Sequence, residues 1–278
     1  MNNPIGVQIT YRPYMDLDKE FKKVLDMEMT SCQLCVWDEE IYNDEYVNRV
    51  KVALANNPIK ISTVWAGWSG PREWNFQYGP STIGLVPAAY RESRTNTLKK
   101  ASDFAEKIGV DKIVTHVGFI PESPDHPDYA GVVGVLRDVC KYLKSKNQFF
   151  LFETGQETPV TLLRTIQAIG YDNVGVNFDT GNLILYGKAN PLDALDVIGN
   201  YVMDTHIKDG FYPTDGMELG AECAVGQGKA NFSAIIKRLN ELSYTGPLTI
   251  EREISGEQQI KDIIATRDLL RAWMKEQD

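Results

Sequence analysis

Eight strand-like segments alternate with eight helical segments along the chain, and this order predicts a (β/α)8 barrel. The chain has 278 residues, of which 43% are hydrophobic and 24% are charged. These values are typical of a globular protein that buries a full core. A barrel of this type takes about 250 residues, so the length fits one such unit. We therefore expect an α/β fold, a single TIM barrel, in one domain over residues 1–278.

The strands are predicted from short apolar runs that are rich in β-prone residues. The first of them, IGVQIT, is followed by no glycine-rich phosphate loop. An open doubly wound sheet, the alternative architecture, would normally carry such a loop at this point, so we favour the barrel. The predicted strands are 5–10, 32–37, 60–66, 112–118, 148–154, 174–179, 202–207 and 247–252.

The helices are predicted from apolar residues that recur with helical spacing between the strands. Pro159 and Pro191 stand where two of these helices begin, a position at which the missing N–H of proline costs nothing. The predicted helices are 16–27, 43–57, 88–109, 129–146, 158–170, 190–200, 231–244 and 256–276.

Composition argues against several classes of partner. The net charge is −9, whereas a nucleic-acid partner requires a basic face. We find neither a secretory signal nor an apolar run of the roughly 18 residues that a membrane span requires, so we expect a cytoplasmic protein with no membrane partner. Cys32 and Cys35 form a CxxC motif inside an apolar strand, and because no second pair stands at zinc-site spacing we predict packed free thiols.

Four consecutive predicted strands each end in a side chain that can bind a metal ion: Glu153, Asp179, His206 and Glu251. In a barrel the carboxyl ends of the strands converge on one mouth, so these four groups become neighbours. Three clustered carboxylates repel one another unless they take up protons or hold a cation. We predict one divalent metal ion, Mn²⁺ by preference, with Mg²⁺, Co²⁺ or Zn²⁺ as alternatives.

The chain resembles the xylose isomerase-like TIM-barrel superfamily of sugar and sugar phosphate isomerases and epimerases. Hexulose 3-epimerases belong to this superfamily, and endonuclease IV is a distant relative. The resemblance covers nearly the whole chain, in the order expected along a barrel. It rests on the motifs FETGQE (152–157), NFDTGN (177–182), THIKDG (205–210), VGQGKANF (225–232) and PLTIERE (247–253).

The resemblance implies that Glu153, Asp179, His206 and Glu251 are metal ligands. It also implies that Glu153 and Glu251 are the catalytic acid and base of an enediolate mechanism, in which a proton beside a carbonyl is removed and returned. Return to the opposite face of the same carbon gives epimerisation, and return to the neighbouring carbon gives isomerisation. The expected substrate is a small sugar or sugar-like molecule, with or without a phosphate.

Four further residues are candidates for substrate binding. His116 matches a family position near the substrate, and Asn182 stands where many family members have a histidine. Lys208 shares a strand face with His206 and could therefore reach the mouth. Trp68 comes from the aromatic loop after the third strand, which could form a sugar-stacking wall or a contact in a homo-oligomer.

Other activities also fit parts of this sequence. A metal-dependent lyase or dehydratase acting on a keto-polyol begins with the same proton abstraction, and a sugar-binding barrel without catalysis would use the same pocket. An endonuclease IV-like nuclease is disfavoured, because the chain has three histidines in total and lacks the zinc ligands that such a centre requires. VGQG (225–228) follows the seventh strand, where a barrel can bind phosphate.

Overall fold

The computed structural model describes residues 1–277; Asp278, the last residue of the expected domain, lies outside the described residues. Eight parallel strands close into a barrel in the order β1-β10-β7-β6-β5-β4-β3-β2, which confirms the predicted fold class. The barrel strands are β1 Ile5–Tyr11, β2 Ser31–Val36, β3 Lys60–Ala66, β4 Lys112–Thr115, β5 Phe149–Glu153, β6 Val174–Asp179, β7 Val202–Ile207 and β10 Leu248–Ile250. Two short strands, β8 Asp209–Gly210 and β9 Glu222–Cys223, form a separate antiparallel sheet.

The helices surround the barrel and connect its strands. All eight predicted helices are present, and two short ones, α3 and α7, are additional. The helices are α1 Leu17–Asp26, α2 Asp44–Asn56, α3 Gly79–Thr82, α4 Ala88–Lys107, α5 Pro127–Lys144, α6 Pro159–Ile169, α7 Thr180–Leu185, α8 Pro191–Ile198, α9 Phe232–Glu241 and α10 Glu257–Lys275. Among residues 1–277, none of these helices has the length and apolarity to cross a membrane.

Local sequence explains where the helices begin and end. Pro159 and Pro191 occupy the first turns of α6 and α8, and the side chains of Thr158 and Asn190 accept backbone N–H bonds there. Gly170 ends α6 in a left-handed conformation, with φ of 70°, which costs a glycine little. These caps fix the lengths of the helices and therefore the points at which the following strands enter the barrel.

The barrel strands carry side chains to two different environments. Cys32 lies in the apolar layer between the strands and the helices, whereas Cys35 packs inside the barrel against Trp65. Both thiols are buried and free, as predicted. The interior also contains fully buried polar residues on β2, β3, β6 and β7, namely Gln33, Thr63, Asn177 and Asp204. Such groups are tolerated in an interior only when they are hydrogen-bonded.

Three strands, β4, β5 and β10, are shorter than the sequence predicts. β4 ends at Thr115 and β10 ends at Ile250, so His116 and Glu251 each follow a strand end directly. Both side chains are nevertheless buried at the mouth of the barrel. After β4 the apolar pattern continues beyond the strand end, since Val117 is also buried, whereas the residues that follow β10 are charged.

Candidate metal centre

Four potential metal ligands meet at the carboxyl end of the barrel. Glu153 and Asp179 are the last residues of β5 and β6, His206 lies near the end of β7, and Glu251 follows β10. These strands are consecutive neighbours in the barrel. One ligand atom from each residue lies within 4.8 Å of the others, and all four residues are buried. The structure thus brings together the four residues that the strand ends suggested.

The imidazole of His206 is the centre of this cluster. Its Nδ1 lies 2.9 Å from Glu153 Oε1, 3.3 Å from Glu251 Oε2 and 3.5 Å from Asp179 Oδ2. One oxygen of each carboxylate therefore faces the same ring nitrogen. A divalent cation bound here would receive three oxygen ligands and one nitrogen ligand, a mixed set that Mn²⁺, Mg²⁺, Co²⁺ and Zn²⁺ accept to different degrees.

Asp179 provides a direct test of whether the residues fit a cation. Its Oδ1 accepts a hydrogen bond from the backbone N–H of Asn182 at 2.7 Å, which caps α7. Its Oδ2 is buried in the cluster and makes no hydrogen bond within residues 1–277. A buried carboxylate oxygen without a partner is costly, and a cation at this point would remove the cost. The residues present therefore fit a divalent ion.

The protonation states of the cluster are interdependent. Burial raises the pKa of Asp179 to about 7. Burial also opposes ionisation of Glu153, but the charge on His206 and the hydrogen bond to it hold the pKa of Glu153 below its usual value. For His206, the neighbouring Glu153 and Glu251 outweigh burial and hold the imidazole pKa well above its ordinary value. The cluster thus retains protons that a bound metal ion would displace.

Glu153 is held by neutral donors on the side away from the other ligands. Its Oε2 accepts hydrogen bonds from Trp65 Nε1 at 2.7 Å and from Asn177 Nδ2 at 2.8 Å. These two partners were not foreseen from the sequence. One feature of the sequence could have indicated such a partner, namely the polar residue Asn177 at the centre of an otherwise apolar strand.

Lys208 lies inside the site, as its strand face suggested. Its Nζ is 3.1 Å from Glu251 Oε2 and 2.7 Å from Glu253 Oε1. Although burial opposes its charge, these two carboxylates hold the pKa of the lysine well above its ordinary value. The lysine stem passes directly over Gly181, where an added Cβ would lie 2.5 Å from Lys208 Cγ. Glycine at 181 is therefore required for Lys208 to reach the site.

Asn182 and His116 border the cluster on either side of Glu153. The Asn182 side chain donates to Glu153 Oε1 at 3.5 Å and accepts from Lys208 Nζ at 3.3 Å. The Nε2 of His116 lies 3.9 Å from Glu153 Oε1, while its Nδ1 has no hydrogen-bond partner within residues 1–277. Burial lowers the pKa of His116, which favours a neutral ring. Both residues remain candidates for substrate contact.

A cavity of about 900 Å³ opens above the cluster. Glu153, Glu251, Asn182 and His116 contribute to its lining. One wall is aromatic and consists of Trp37, Trp65 and Trp74. The ring of Trp68 packs against that of Trp37, with the ring centres 5.5 Å apart. Within residues 1–277, Trp68 is not one of the residues that line the cavity. A direct contact between Trp68 and a substrate remains a prediction, and Trp65 and Trp74 are better placed for one.

The glycine loop after β7 is occupied by a carboxylate of the protein itself. Asp209 Oδ2 accepts hydrogen bonds from the backbone N–H groups of Gly226 and Gly228, both at 2.9 Å. Its Oδ1 accepts from the N–H of Ala230 at 3.0 Å and from that of Gly210 at 2.8 Å. A phosphate would need these same donors. The loop therefore resembles an anion site whose anion is Asp209.

Several known proteins share this architecture over their full length. The crystal structure of a xylose isomerase domain protein from Planctomyces limnophilus is 33% identical, with a TM-score of 0.92 and 99% of each chain covered. A xylose isomerase-like TIM barrel protein from Mycobacterium smegmatis, in complex with magnesium, is 17% identical, with a TM-score of 0.74 and all of both chains covered. D-psicose 3-epimerase from Clostridium cellulolyticum H10, solved with D-tagatose, is 16% identical, with a TM-score of 0.71 and coverage of 98% and 99%.

Sequence comparison alone leads to the same family. An uncharacterised protein from Methanocaldococcus jannaschii is 22% identical over 197 residues, and the match covers 66% of this chain. The chain spans 64% of the length of that relative. A family model described as a xylose isomerase-like TIM barrel matches residues 21–276. The chain therefore belongs to the xylose isomerase-like TIM-barrel family.

Proposed function

We propose that the protein is a divalent-metal-dependent isomerase or epimerase that acts on a small sugar or sugar-like ketose. The observation that carries this proposal is the buried group of Glu153, Asp179, His206 and Glu251, in which one oxygen of Asp179 makes no hydrogen bond to any residue among 1–277. Similarity in fold to a D-psicose 3-epimerase supports the substrate class. A cation held by the four side chains would supply positive charge beside the oxygen of a developing enediolate.

Glu153 and Glu251 are the proposed proton-transfer residues. Both line the cavity, and they approach the cluster from β5 and from the end of β10. Lys208, at 3.1 Å, keeps Glu251 ionised, so that Glu251 can accept a proton from the carbon beside a carbonyl. Glu153 is the proposed partner in proton transfer, and the hydrogen bonds from Trp65 and Asn177 to its Oε2 hold its carboxylate in place. Epimerisation is reversible, so either glutamate begins the reaction, depending on which epimer is bound.

The remaining residues of the site orient the substrate and exclude water. Asn182 and Lys208 present an amide and an ammonium group beside Glu251, which suits the hydroxyl groups of a polyol. Trp65 and Trp74 form an apolar wall next to His116, and such a wall suits the C–H face of a sugar.

We further propose that the natural substrate carries no phosphate at the β7 loop. The backbone donors of Gly226, Gly228 and Ala230 already bind the carboxylate of Asp209. A dianionic phosphate at this loop would have to displace a buried carboxylate with four N–H bonds. We therefore expect kcat/KM to be higher for a free ketose than for the same ketose with a terminal phosphate.

Product analysis by NMR tests this function. The protein with Mn²⁺ is incubated with free ketoses, ketose phosphates and keto-polyols, and the products are identified by their C–H signals. A change of configuration or of carbonyl position, absent in Glu251→Gln, is the expected result. Loss of water from the substrate would instead identify a dehydratase. Binding without turnover of any substrate in the panel would contradict a catalytic role.

A further inference from the structure

A closed ring of hydrogen bonds joins two of the four candidate ligands. Glu153 Oε2 accepts from Asn177 Nδ2 at 2.8 Å, and Asn177 Oδ1 accepts from Gln33 Nε2 at 2.9 Å. Gln33 Oε1 lies 2.9 Å from His206 Nε2, and His206 Nδ1 lies 2.9 Å from Glu153 Oε1. None of the four side chains is more than 2% exposed. Gln33 and Asn177 therefore link the two ligands through the interior of the barrel.

The chemistry of Glu153 fixes the direction of every bond in this ring. An ionised carboxylate can only accept, and the indole N–H of Trp65 can only donate to it. Asn177 must therefore present its NH2 group to Glu153 and its carbonyl oxygen to Gln33. Gln33 must in turn present its NH2 group to Asn177, which leaves its carbonyl oxygen for His206. The proton on His206 Nε2 follows from this sequence of donors and acceptors.

The position of Gln33 in the barrel makes this arrangement specific. Gln33 lies on β2, and Asn177 lies on β6, on the opposite side of the eight-stranded ring. A glutamine at the centre of an apolar strand is unfavourable unless its polar atoms are bonded. Both polar atoms of Gln33 are bonded, one to Asn177 and one to His206. The residue thus spans the interior to reach a metal ligand.

We propose that Gln33 and Asn177 are positioning residues of the metal centre, which hold the His206 ring with Nε2 protonated and Nδ1 directed at the ion. The proposal rests on the proposed function, because it needs an ion at this site. Without Gln33 the imidazole loses the acceptor for Nε2–H, and the ring can turn to present either nitrogen. Removal of such outer partners typically weakens metal binding by about 10–100-fold.

The test compares two buried glutamines. Gln33→Met removes the link to His206, whereas Gln148→Met makes the same change at a buried glutamine that bonds Ser102 and the carbonyl of Val110 instead. Zn²⁺ is titrated into each purified protein by calorimetry. The histidine nitrogens are observed by ¹⁵N NMR with and without Zn²⁺, and the assignment is direct because the chain has three histidines.

In the wild type we expect Zn²⁺ to bind to His206 Nδ1. We expect Nε2 to carry a proton, and this proton should exchange slowly with solvent. In Gln33→Met the Zn²⁺ dissociation constant should rise by about 10–100-fold, and the Nε2–H signal should exchange rapidly. Gln148→Met should keep the wild-type dissociation constant and the wild-type His206 signals. If Gln33→Met does not fold, Asn177→Leu takes its place in the test. It breaks the same ring of hydrogen bonds at the other amide, so we expect the same weakening of Zn²⁺ binding and the same change in the His206 signals.

Three results would overturn the proposal. Coordination through Nε2 in the wild type would reverse the inferred direction of the ring. Unchanged affinity and unchanged His206 signals in Gln33→Met would remove Gln33 from the metal centre while leaving the centre itself intact. A wild-type protein in which Zn²⁺ leaves the His206 signals unaffected would contradict the proposed function, and this inference with it.

Discussion

Asp204 and Asp179 lie on the neighbouring strands β7 and β6, and both are completely buried. Asp204 is fully hydrogen-bonded by the protein: Thr63 and Thr249 donate their hydroxyl groups at 2.6 Å and 3.0 Å, and the N–H of Thr205 donates at 2.8 Å. Asp179 has one hydrogen-bonded oxygen. Its other oxygen makes no hydrogen bond to the residues that the structure describes, and it lies 3.5 Å from His206 Nδ1.

The difference separates a carboxylate that the protein satisfies by itself from one that the proposed metal ion would complete. Burying a carboxylate is unfavourable in either place. At Asp204 the barrel itself supplies the compensating donors, so this residue stabilises the fold. At Asp179 the compensation is incomplete, and the missing part is what a cation would provide. The barrel therefore satisfies the polar groups around Asp204 with its own donors, whereas at its mouth the carboxylate of Asp179 is only partly satisfied.

The largest effect is expected at the two glutamates beside Asp179. Replacement of a general acid or base typically lowers turnover by about 10²–10⁴-fold, and we expect this for Glu153→Gln and for Glu251→Gln. The matched control is Glu253→Gln, because Glu253 also contacts Lys208, at 2.7 Å, yet is 57% exposed and outside the cluster. Its kcat should fall less than about tenfold. Full activity in Glu153→Gln or Glu251→Gln would remove that residue from the mechanism.

Exchanging the two aspartates for asparagine should separate metal binding from stability. Asp179→Asn should abolish measurable Mn²⁺ binding in calorimetry while leaving the Tm of the metal-free protein unchanged or higher. Asp204→Asn should retain Mn²⁺ binding but lower stability by about 1–3 kcal/mol, because it disrupts a satisfied buried network. For a protein of this size each kcal/mol corresponds to about 2–4 °C in Tm. Equal behaviour of the two variants would contradict the distinction between them.

Removing the metal should affect the wild type and Asp204→Asn alike. A ligand at one hundred times its Kd stabilises the folded state by about 2.7 kcal/mol, which corresponds to a rise in Tm of about 5–11 °C. We expect Mn²⁺ to produce this rise in both proteins, and EDTA to reverse it. Asp179→Asn should show no rise. A comparable rise in Asp179→Asn would mean that the ion binds elsewhere.

Glu157 offers a third solution for a buried carboxyl group, which is to remain protonated. It is 3% exposed, and its Oε1 has no hydrogen-bond partner in the described part of the chain. Burial raises its pKa from 4.5 to about 8, with Lys188 lowering the value and Glu153 and Glu122 raising it. The folded state therefore keeps this proton at a pH where the unfolded state has released it. The stability that this proton contributes is fully present below pH 4.5 and is lost as the pH rises towards 8.

Glu157→Gln should remove this part of the pH dependence. The Tm of the variant minus that of the wild type should increase steadily between about pH 4.5 and 8, because only the wild type loses a stabilising proton there. Thermal unfolding of both metal-free proteins across this range measures the difference. A constant or decreasing difference would show that Glu157 ionises normally in the folded state.

The barrel and its four clustered side chains could be predicted because each depends on strong local patterns. Apolar runs of strand length define the strands, and a charged group at a strand end, such as Asp179, interrupts such a run visibly. The short helix α7 was not predicted, because its six residues Thr180–Leu185 are too few to display a helical period. Its formation depends on Asp179, which caps it.

The partners of the cluster could not be predicted, because they depend on contacts across the barrel. Gln33 and Asn177 are 144 positions apart in the sequence, and no local pattern indicates that they meet. Asp209 accepts hydrogen bonds from the glycine loop 17–21 residues later in the chain. The backbone N–H groups that suggested a phosphate site are therefore already bonded to a carboxylate of the protein. Trp68 was a candidate because it belongs to the aromatic loop after the third strand. Only the packing of that loop shows that Trp65 and Trp74 line the cavity.

Proton exchange in D2O tests the central claim most directly. The protein is incubated in D2O with a panel of free ketoses, with Mn²⁺ or with EDTA, and the C–H signals beside the carbonyl are followed by NMR after the metal is removed. We expect deuterium to enter at that carbon with the wild type and Mn²⁺, and with neither EDTA nor Asp179→Asn. Exchange that persists in EDTA or in Asp179→Asn, or no exchange while Mn²⁺ is bound at the cluster, would contradict metal-dependent enediolate chemistry at this site.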